Sequence, residues 1–419
     1  MKKRNVLNQI WLTFLSVGPG IFCIGYTIGT GSVTSMAKAG SEYGMKLIWV
    51  LLLSVFFSWI LMEAYGRYAV VTGETSIFAF KKRLKFGKWW AFLTIMGVVI
   101  AQWSALSGIL GLTSNGIYEV VRLFIPGLNE TNYWFILGIA IFLIVILYGI
   151  LLIGKYSLFE KVLIILVTLM GFSFLISMFI VLPPVKEIIS GFIPTIPPGG
   201  SLMVAAFVGT TMAAPTFVIR PLIVKEKGWG KSSVKEQSKD ARTSAILMFV
   251  ISGSILVAAT GALFHEGKTI NKVLDMAYAL EPVAGKMTVA VFMVGTMSAG
   301  ISSIFPILMV APLLIEDYRN GKMDTRSKLF KGLTGFACLI GLTVPIFGSN
   351  PITAQIATQV ASVFVLPLVI TGILVLINDR NLMGEYKAGN FFNIGLVAAL
   401  IFSLIISYNG ILGLKSFLF

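Results

Sequence analysis

Gly18-Pro19-Gly20, Gly25 and Gly29-Thr30-Gly31-Ser32 interrupt the first long apolar stretch, and Gly209-Thr210-Thr211-Met212-Ala213-Ala214-Pro215-Thr216 interrupts the sixth. Glycine and proline break the hydrogen-bond ladder of a helix, and free backbone groups at membrane depth are tolerated only where they are buried or line a cavity. Interruptions five helices apart predict two inverted repeats with a substrate site at the midplane between them. Small residues that let helices pack closely explain either interruption alone; their matched positions favour the site.

The composition is that of a membrane protein. Of 419 residues, 57% are hydrophobic and only 12% are charged, which is about half the charge that a soluble chain carries. Two cysteines and one histidine offer neither a disulfide framework nor a histidine-rich metal site. We therefore expect an all-α polytopic membrane protein that is not an enzyme and has no cofactor.

Eleven apolar stretches are long enough to cross a bilayer of ~30 Å. We number them spans 1 to 11; the predicted bounds are about 10–39, 44–68, 88–117, 133–153, 156–182, 199–224, 243–264, 285–314, 329–347, 351–377 and 391–414. Together they form one transporter domain over 1–419. We expect one repeat over about 10–182, a second over about 199–377, and an extra helix over about 391–414.

The basic residues predict the orientation. Loops on the side of the N-terminus contain 23 lysines and arginines, and the opposite side contains 8. Basic loops mark the cytoplasmic side, so we expect a cell (inner) membrane protein with its N-terminus inside and its C-terminus outside. We expect no signal-peptide cleavage, because the first apolar region continues far beyond the length of such a segment. The net charge of +15 is thus an orientation signal and not a sign of nucleic-acid binding.

Several blocks resemble the Nramp family of proton-coupled divalent-metal transporters, which have the LeuT-like fold. They are Gly18-Pro19-Gly20, Ala39–Gly44, Leu47–Ser54, Thr358-Gln359-Val360 and Asp379–Glu385. The resemblance covers most of the chain. It implies a LeuT-like 5+5 inverted repeat with discontinuous helices 1 and 6, followed by an eleventh helix, that works by alternating access.

The chain departs from the family pattern at the residues that the resemblance assigns to metal and protons. Gly29-Thr30-Gly31-Ser32 falls where the family has Asp-Pro-Gly-Asn, and Ala213-Ala214-Pro215 falls on its Met-Pro-His block. Residues 90–118 contain no aspartate, glutamate or histidine on the proton route of span 3, and Gly335 replaces an arginine of span 9. The resemblance therefore implies a divergent member that lacks the metal-binding motif.

The altered site offers backbone carbonyls, hydroxyls and one amide, with no negative charge, so a chelated transition metal is not expected. Free N–H groups at the start of a half-helix bind anions, and Ile28-Gly29-Thr30-Gly31 resembles the glycine motif of amino acid–polyamine–organocation permeases. Arg220 follows one turn into the second half of span 6; it either faces the site, snorkels to the membrane surface, or pairs with Glu63 or Glu160. Our first hypothesis is a small anion or carboxylate-bearing solute.

Two alternatives stay open: transport of a divalent cation of the Mn, Fe or Mg type as a partly hydrated ion, and a membrane sensor or scaffold without transport. The expected partners are a small transported solute, membrane lipid and a coupling ion. The candidate substrate-binding residues are Gly29, Thr30, Gly31, Ser32, Ala213, Ala214, Pro215, Thr216, Arg220 and Gln359.

Overall fold

The computed structural model describes residues 18–125, 127–129, 132–154, 156–270, 275, 281–348 and 351–418. Within these residues the chain is helical, with turns and no strand. Ten stretches of described helix are long and apolar enough to cross a membrane, and Thr30–Thr72 combines the second half of span 1 with span 2. The expectation of a multi-pass all-α membrane protein is confirmed for the described part; residues 10–17 of predicted span 1 lie outside it.

The helices follow the predicted spans closely. Their bounds, with 1a, 1b, 6a and 6b for the halves of spans 1 and 6, are Pro19–Thr27 (1a), Thr30–Tyr43 (1b), Ile48–Thr72 (2), Gly87–Phe124 (3), Tyr133–Ile153 (4), Tyr156–Ile180 (5), Ser201–Thr211 (6a), Ala214–Glu226 (6b), Val234–Leu263 (7), Glu281–Asn320 (8), Lys328–Gly341 and Thr343–Phe347 (9), Pro351–Val363 and Leu366–Asn378 (10), and Asn390–Leu418 (11). Short helices Ser76–Arg83, Val185–Ser190 and Arg380–Met383 lie between them.

Local sequence explains several helix ends. Gly73 and Gly154 adopt the left-handed conformation directly after spans 2 and 4, a conformation that favours glycine. The Asn132 side chain accepts a hydrogen bond from the backbone N–H of Phe135 at the start of span 4. Span 7 begins at Val234, nine residues before its predicted start at 243, and this correction brings Gln237 and Asp240 into the core, where they are buried.

The two interruptions exist, but each is shorter than predicted. In span 1 the helix stops after Thr27 and resumes at Thr30, so that only Ile28 and Gly29 are outside it; Thr30, Gly31 and Ser32 form the first turn of helix 1b. In span 6 the helix stops after Thr211 and resumes at Ala214. Proline is accepted at the second position of a helix, where its missing N–H has no helical partner in any case, so Ala214, Pro215 and Thr216 are helical and not part of the gap.

Burial separates the central spans from the peripheral ones. Of the most apolar 18 residues in each span, 94% are buried in span 6 and 89% in span 8, but only 28% in spans 4 and 11. The exposed faces of the peripheral spans contain large apolar side chains such as Phe142, Val145 and Ile401. Such faces suit a hydrocarbon environment, and the arrangement puts the broken helices in the middle of the protein.

Candidate substrate site

A small cavity lies where the two broken helices meet. It is lined by Tyr26, Thr27, Gly29, Gly31, Gln102, Ile109, Thr210, Ala213, Ser303, Ile307 and Gln359. The space between its lining atoms, including space open to solvent, is about 290 Å³. The lining side chains are all buried; Gln359, at 9% exposure, is the most accessible of them. The cavity therefore lies within the protein core.

Ser303 of span 8 holds the gap in span 1 open. Its hydroxyl donates a hydrogen bond to the carbonyl of Gly25 at 2.8 Å, which would otherwise accept from a continuing helix. Gly29 makes this approach possible, because a Cβ at that position would lie 2.2 Å from Ser303 Oγ. Thr210 makes a similar contact from span 6, donating to the carbonyl of Thr27 at 3.3 Å.

The backbone gives the cavity two kinds of helix end. The carbonyl ends of helices 1a and 6a meet it, and such ends carry partial negative charge. The amide ends of helices 1b and 6b also begin beside it, and neither N-cap residue, Gly29 or Ala213, supplies a side-chain cap. The site therefore offers backbone hydrogen-bond donors and acceptors without formal charge, together with hydroxyl and amide side chains.

The structure brings together only part of the predicted site. Gly29, Gly31, Ala213 and Gln359 line the cavity. The remaining predicted residues are buried and do not line the cavity; they are Thr30, Ser32, Ala214, Pro215, Thr216 and Arg220. Ser32 is turned toward span 7, where its Oγ lies 3.5 Å from that of Ser252, and Thr216 Oγ1 lies 3.4 Å from Thr27 Oγ1.

Five polar lining residues were not predicted from the sequence: Tyr26, Thr27, Gln102, Thr210 and Ser303. Each is a polar side chain within an otherwise apolar span. Polar residues at membrane depth usually face the interior of the bundle, so this signal was available, but it does not state which interior neighbour each residue meets.

Arg220 does not reach the cavity. Its side chain is fully buried, and Nη2 donates to Asp240 Oδ2 at 2.7 Å and to Gln237 Oε1 at 2.9 Å. Neither predicted partner contacts Arg220 directly. Glu160 pairs with Lys227 at 2.5 Å, and Glu63 is linked to Arg220 through Gln237. The prediction of Arg220 as a substrate-binding residue is not supported by this position, since the charge of the guanidinium is already paired with a carboxylate.

The pair belongs to a larger group of polar side chains, all buried except the half-buried Arg67, that we name the buried charge cluster: Glu63, Arg67, Arg220, Gln237 and Asp240. Gln237 links the two ion pairs, because its Nε2 donates to Glu63 Oε2 at 3.0 Å, and Glu63 in turn accepts from Arg67 Nη2 at 2.6 Å. Two carboxylates and two guanidinium groups balance, so the cluster is neutral as a whole.

Asp240 also binds the beginning of helix 1a. Its Oδ1 accepts hydrogen bonds from the backbone N–H of Gly18 at 2.8 Å and of Gly20 at 3.2 Å. These N–H groups have no partner within their own helix, and a carboxylate at a helix N-terminus is favourable. The cluster thereby joins spans 1, 2, 6 and 7 at one level of the bundle.

Within the described part of the chain, no three histidine, cysteine, aspartate or glutamate side chains come together in a way that could hold a metal ion. The cavity lining contains no charged residue and no sulfur atom. An ion at this site would be held by oxygens of hydroxyls, amides, backbone carbonyls and its own water.

Broken helices that meet at a buried polar cavity in the bundle centre define a multi-pass membrane transporter of the LeuT-like fold class. The family model described as "Natural resistance-associated macrophage protein-like" matches residues 20–413, and the chain belongs to this family. The resemblance to the Nramp family is thereby confirmed; that this chain is a divergent member stays a prediction.

Relatives and solved structures agree with this family. The divalent metal cation transporter MntH of Erwinia tasmaniensis is 23% identical over 391 residues, covering 91% of this chain and 90% of the relative. That of Bacillus subtilis is 21% identical over 414 residues, covering 96% and 92%. The Eremococcus coleocola manganese transporter superposes with a TM-score of 0.73 at 14% identity, over 99% of this chain and 88% of its own.

A more distant structure has the same fold. MHP1, a nucleobase-cation-symport-1 family transporter in a closed conformation, matches with a TM-score of 0.60 at 13% identity, covering 95% of this chain and 90% of that one. The expected fold class, with discontinuous helices 1 and 6 and an additional eleventh helix, is confirmed. The repeat bounds and the orientation of the termini stay predictions.

Proposed function

We propose that the chain is a secondary transporter that moves a divalent metal cation, with part of its hydration shell, by alternating access through the cavity between spans 1 and 6. The observation that carries the proposal is the buried, oxygen-lined cavity at the two broken helices of an Nramp family chain. Relatives over more than nine-tenths of this chain are named divalent metal cation transporters.

The lining favours a hard cation. Carbonyl, hydroxyl and water oxygens suit Mg²⁺ and Mn²⁺, whereas softer ions prefer imidazole or sulfur ligands. The carbonyl ends of helices 1a and 6a contribute partial negative charge in place of a carboxylate. Mg²⁺ gives up its water reluctantly and usually keeps several molecules when bound, so a neutral site of this kind is compatible with a partly hydrated ion.

The charge of the lining supports the same conclusion, because none of the lining residues carries a positive charge that would bind an anion. Our first hypothesis of a carboxylate-bearing solute included Arg220 as one candidate contact, and the charge of Arg220 is paired with Asp240; the divalent cation is therefore the better-supported substrate.

Flux into proteoliposomes tests the proposal. Purified protein is reconstituted with an indicator dye inside, and Mg²⁺ or Mn²⁺ is added outside in the presence of a membrane potential. We expect saturable uptake by the wild type and none by empty liposomes. Gly31→Ala should reduce uptake, because the new Cβ would lie 2.2 Å from Gln359 Nε2 and 2.7 Å from Gln355 Nε2 and would displace the ends of these side chains at the site.

Gly253→Ala is the matched control. Gly253 lies in span 7, and the nearest atom to its new Cβ is Leu51 Cδ2 at 3.9 Å, so uptake should persist. Uptake of a small carboxylate without divalent-cation uptake would overturn the proposal in favour of the anion hypothesis. Folded protein without any flux would overturn it in favour of a membrane sensor or scaffold.

A further inference from the structure

Gln355 has a buried side-chain amide whose polar atoms are not paired by the fold. Its exposure is 0%, yet neither Oε1 nor Nε2 has a hydrogen-bond partner in the described part of the chain. Buried amides are almost always paired, because an unpaired polar group loses its bonds to water and gains nothing in return. Such a group in a transporter core is a candidate for a contact that only a ligand completes.

The position of Gln355 points to the substrate site. It lies on span 10 four residues, about one helical turn, before Gln359, which lines the cavity. Two glycines make space for it: a Cβ on Gly31 of helix 1b would lie 2.7 Å from Gln355 Nε2, and a Cβ on Gly108 of span 3 would lie 2.9 Å from Oε1. The same Cβ on Gly31 would lie 2.2 Å from Gln359 Nε2, so both amides converge on Gly31 at the cavity wall.

Two further unpaired hydroxyls belong to the same region. Tyr26, which lines the cavity from helix 1a, has no partner for its hydroxyl among the described residues. Thr30, the residue before Gly31, has no partner for Oγ1 within that same part of the chain and is 1% exposed. Unpaired polar groups thus flank the gap in span 1 from both of its halves and from span 10.

We propose that Gln355 is a substrate-contacting and specificity-determining residue, whose amide oxygen binds the divalent cation or a water of its hydration shell beside Gln359. This inference rests on the proposed function. An amide has both a hard oxygen acceptor and two N–H donors, and rotation about its last bond exchanges them without a change in shape. With its amide oxygen toward the site, Gln355 would suit Mg²⁺ and Mn²⁺, which take amide carbonyl oxygens as ligands.

The test uses the full-length protein in proteoliposomes, with Mg²⁺ and Mn²⁺ as the probes. Gln355→Leu keeps the approximate size and removes the oxygen; we expect KM for the cation to rise by about tenfold or more, as for loss of one hydrogen bond to a charged ligand. Gln355→Glu is nearly isosteric and adds a negative charge; we expect a lower KM and stronger thermal stabilisation of the detergent-solubilised protein by Mg²⁺.

Thr334→Val is the matched control. Thr334 is fully buried on span 9, its Oγ1 is unpartnered in the described part of the chain, and it does not line the cavity. Its replacement should leave KM within about twofold of the wild type, which is less than the energy of one hydrogen bond.

The outcomes separate this inference from the proposed function. Divalent-cation uptake by the wild type with KM unchanged in both Gln355 variants would overturn the inference alone. Failure of both variants to fold would assign the amide to the core and would also overturn it. Absence of divalent-cation uptake by the wild type would remove the proposed function itself, and Gln355→Glu would then show no stabilisation by Mg²⁺.

Discussion

The ion pair between Arg220 and Asp240 gives the sharpest test of how the buried charge cluster holds the bundle together. Asp240→Asn keeps the size of the side chain and removes its charge. Arg220 then stays buried at 0% exposure with Gln237 and Cys23 as its neighbours and without a carboxylate. We expect a large loss of stability, since an uncompensated charge in the core is costly.

The magnitude follows from what the variant loses and keeps. Removing one partner of a buried pair costs about 3–5 kcal/mol. Arg220 retains its hydrogen bond to Gln237, and the asparagine oxygen is still able to accept from the N–H groups of Gly18 and Gly20, so the loss should fall near 3 kcal/mol, at the lower end of that range.

The exposed pair of Lys268 and Glu266 is the control. Its Nζ–Oε2 distance of 2.6 Å is close to the 2.7 Å of the buried pair, but the two side chains are 58% and 42% exposed. Glu266→Gln should cost about 0–1 kcal/mol, because water screens and solvates exposed charges. A comparison of the two variants therefore isolates the effect of burial at nearly equal distance.

The assay is unfolding of the purified protein in detergent, followed by the fraction that remains folded on size-exclusion chromatography after heating. The double variant Arg220→Met with Asp240→Leu should recover part of the loss, because replacing a buried pair by apolar side chains is often neutral. If Asp240→Asn is no less stable than Glu266→Gln, the charge on Arg220 does not depend on Asp240 and the reasoning is refuted.

Two further predictions concern close packing and pH. Gly209→Ala should destabilise the protein strongly, because the new Cβ would lie 1.9 Å from the backbone oxygen of Gln359; Gly253→Ala, measured by the same heating assay, should be neutral or stabilising by about 0.5–1 kcal/mol. Burial alone would raise the pKa of Glu74, but hydrogen bonds from Arg83 and Tyr68 outweigh it and lower the pKa from 4.5. Its contribution to stability is therefore present above pH 4.5 and lost as pH falls through the lowered pKa, so the difference in melting temperature between wild type and Glu74→Gln should be present at pH 7 and shrink on acidification; an equal difference at low pH would contradict it.

The membrane spans could be predicted from the sequence because hydropathy and length decide them almost alone. The two helix gaps could be predicted from glycine and proline, but their bounds could not. Thr30 to Ser32 and Ala214 to Thr216 lie in the first turns of helices 1b and 6b, where backbone N–H groups have no helical partner and such residues are tolerated. Within the cavity, Gly31 and Gln359 followed from the gap and from the family resemblance. Ser303 and Gln102 did not, because a single polar residue in an apolar helix does not say which neighbour it meets.

The start of span 7 was wrong for a related reason. Residues 234–242 are rich in charge and read as a solvated loop, yet Gln237 and Asp240 are spaced i, i+3 and fall on one face of the helix, which is buried. The charged composition of residues 234–242 describes the segment as a whole, whereas the burial of each residue depends on the face of the helix on which it lies. The partner of Arg220 could therefore not be identified from the sequence. That a buried arginine needs a partner could be predicted.

Two buried carboxylates, those of Asp240 and Asp317, bind helix ends, and no carboxylate of the described residues lines the cavity. Asp240 accepts from the first N–H groups of helix 1a, and Asp317 of span 8 accepts from the N–H groups of Ile77 and Phe78, at the start of helix Ser76–Arg83. Charge is thus used to join segments of the bundle, while the cavity itself stays neutral. If helix 1a must separate from span 7 for the site to open on that side, the bonds to Asp240 have to break, and removing that carboxylate should change the rate of opening. The affinity of the cavity for its ion should change little, because none of its lining residues belongs to the buried charge cluster.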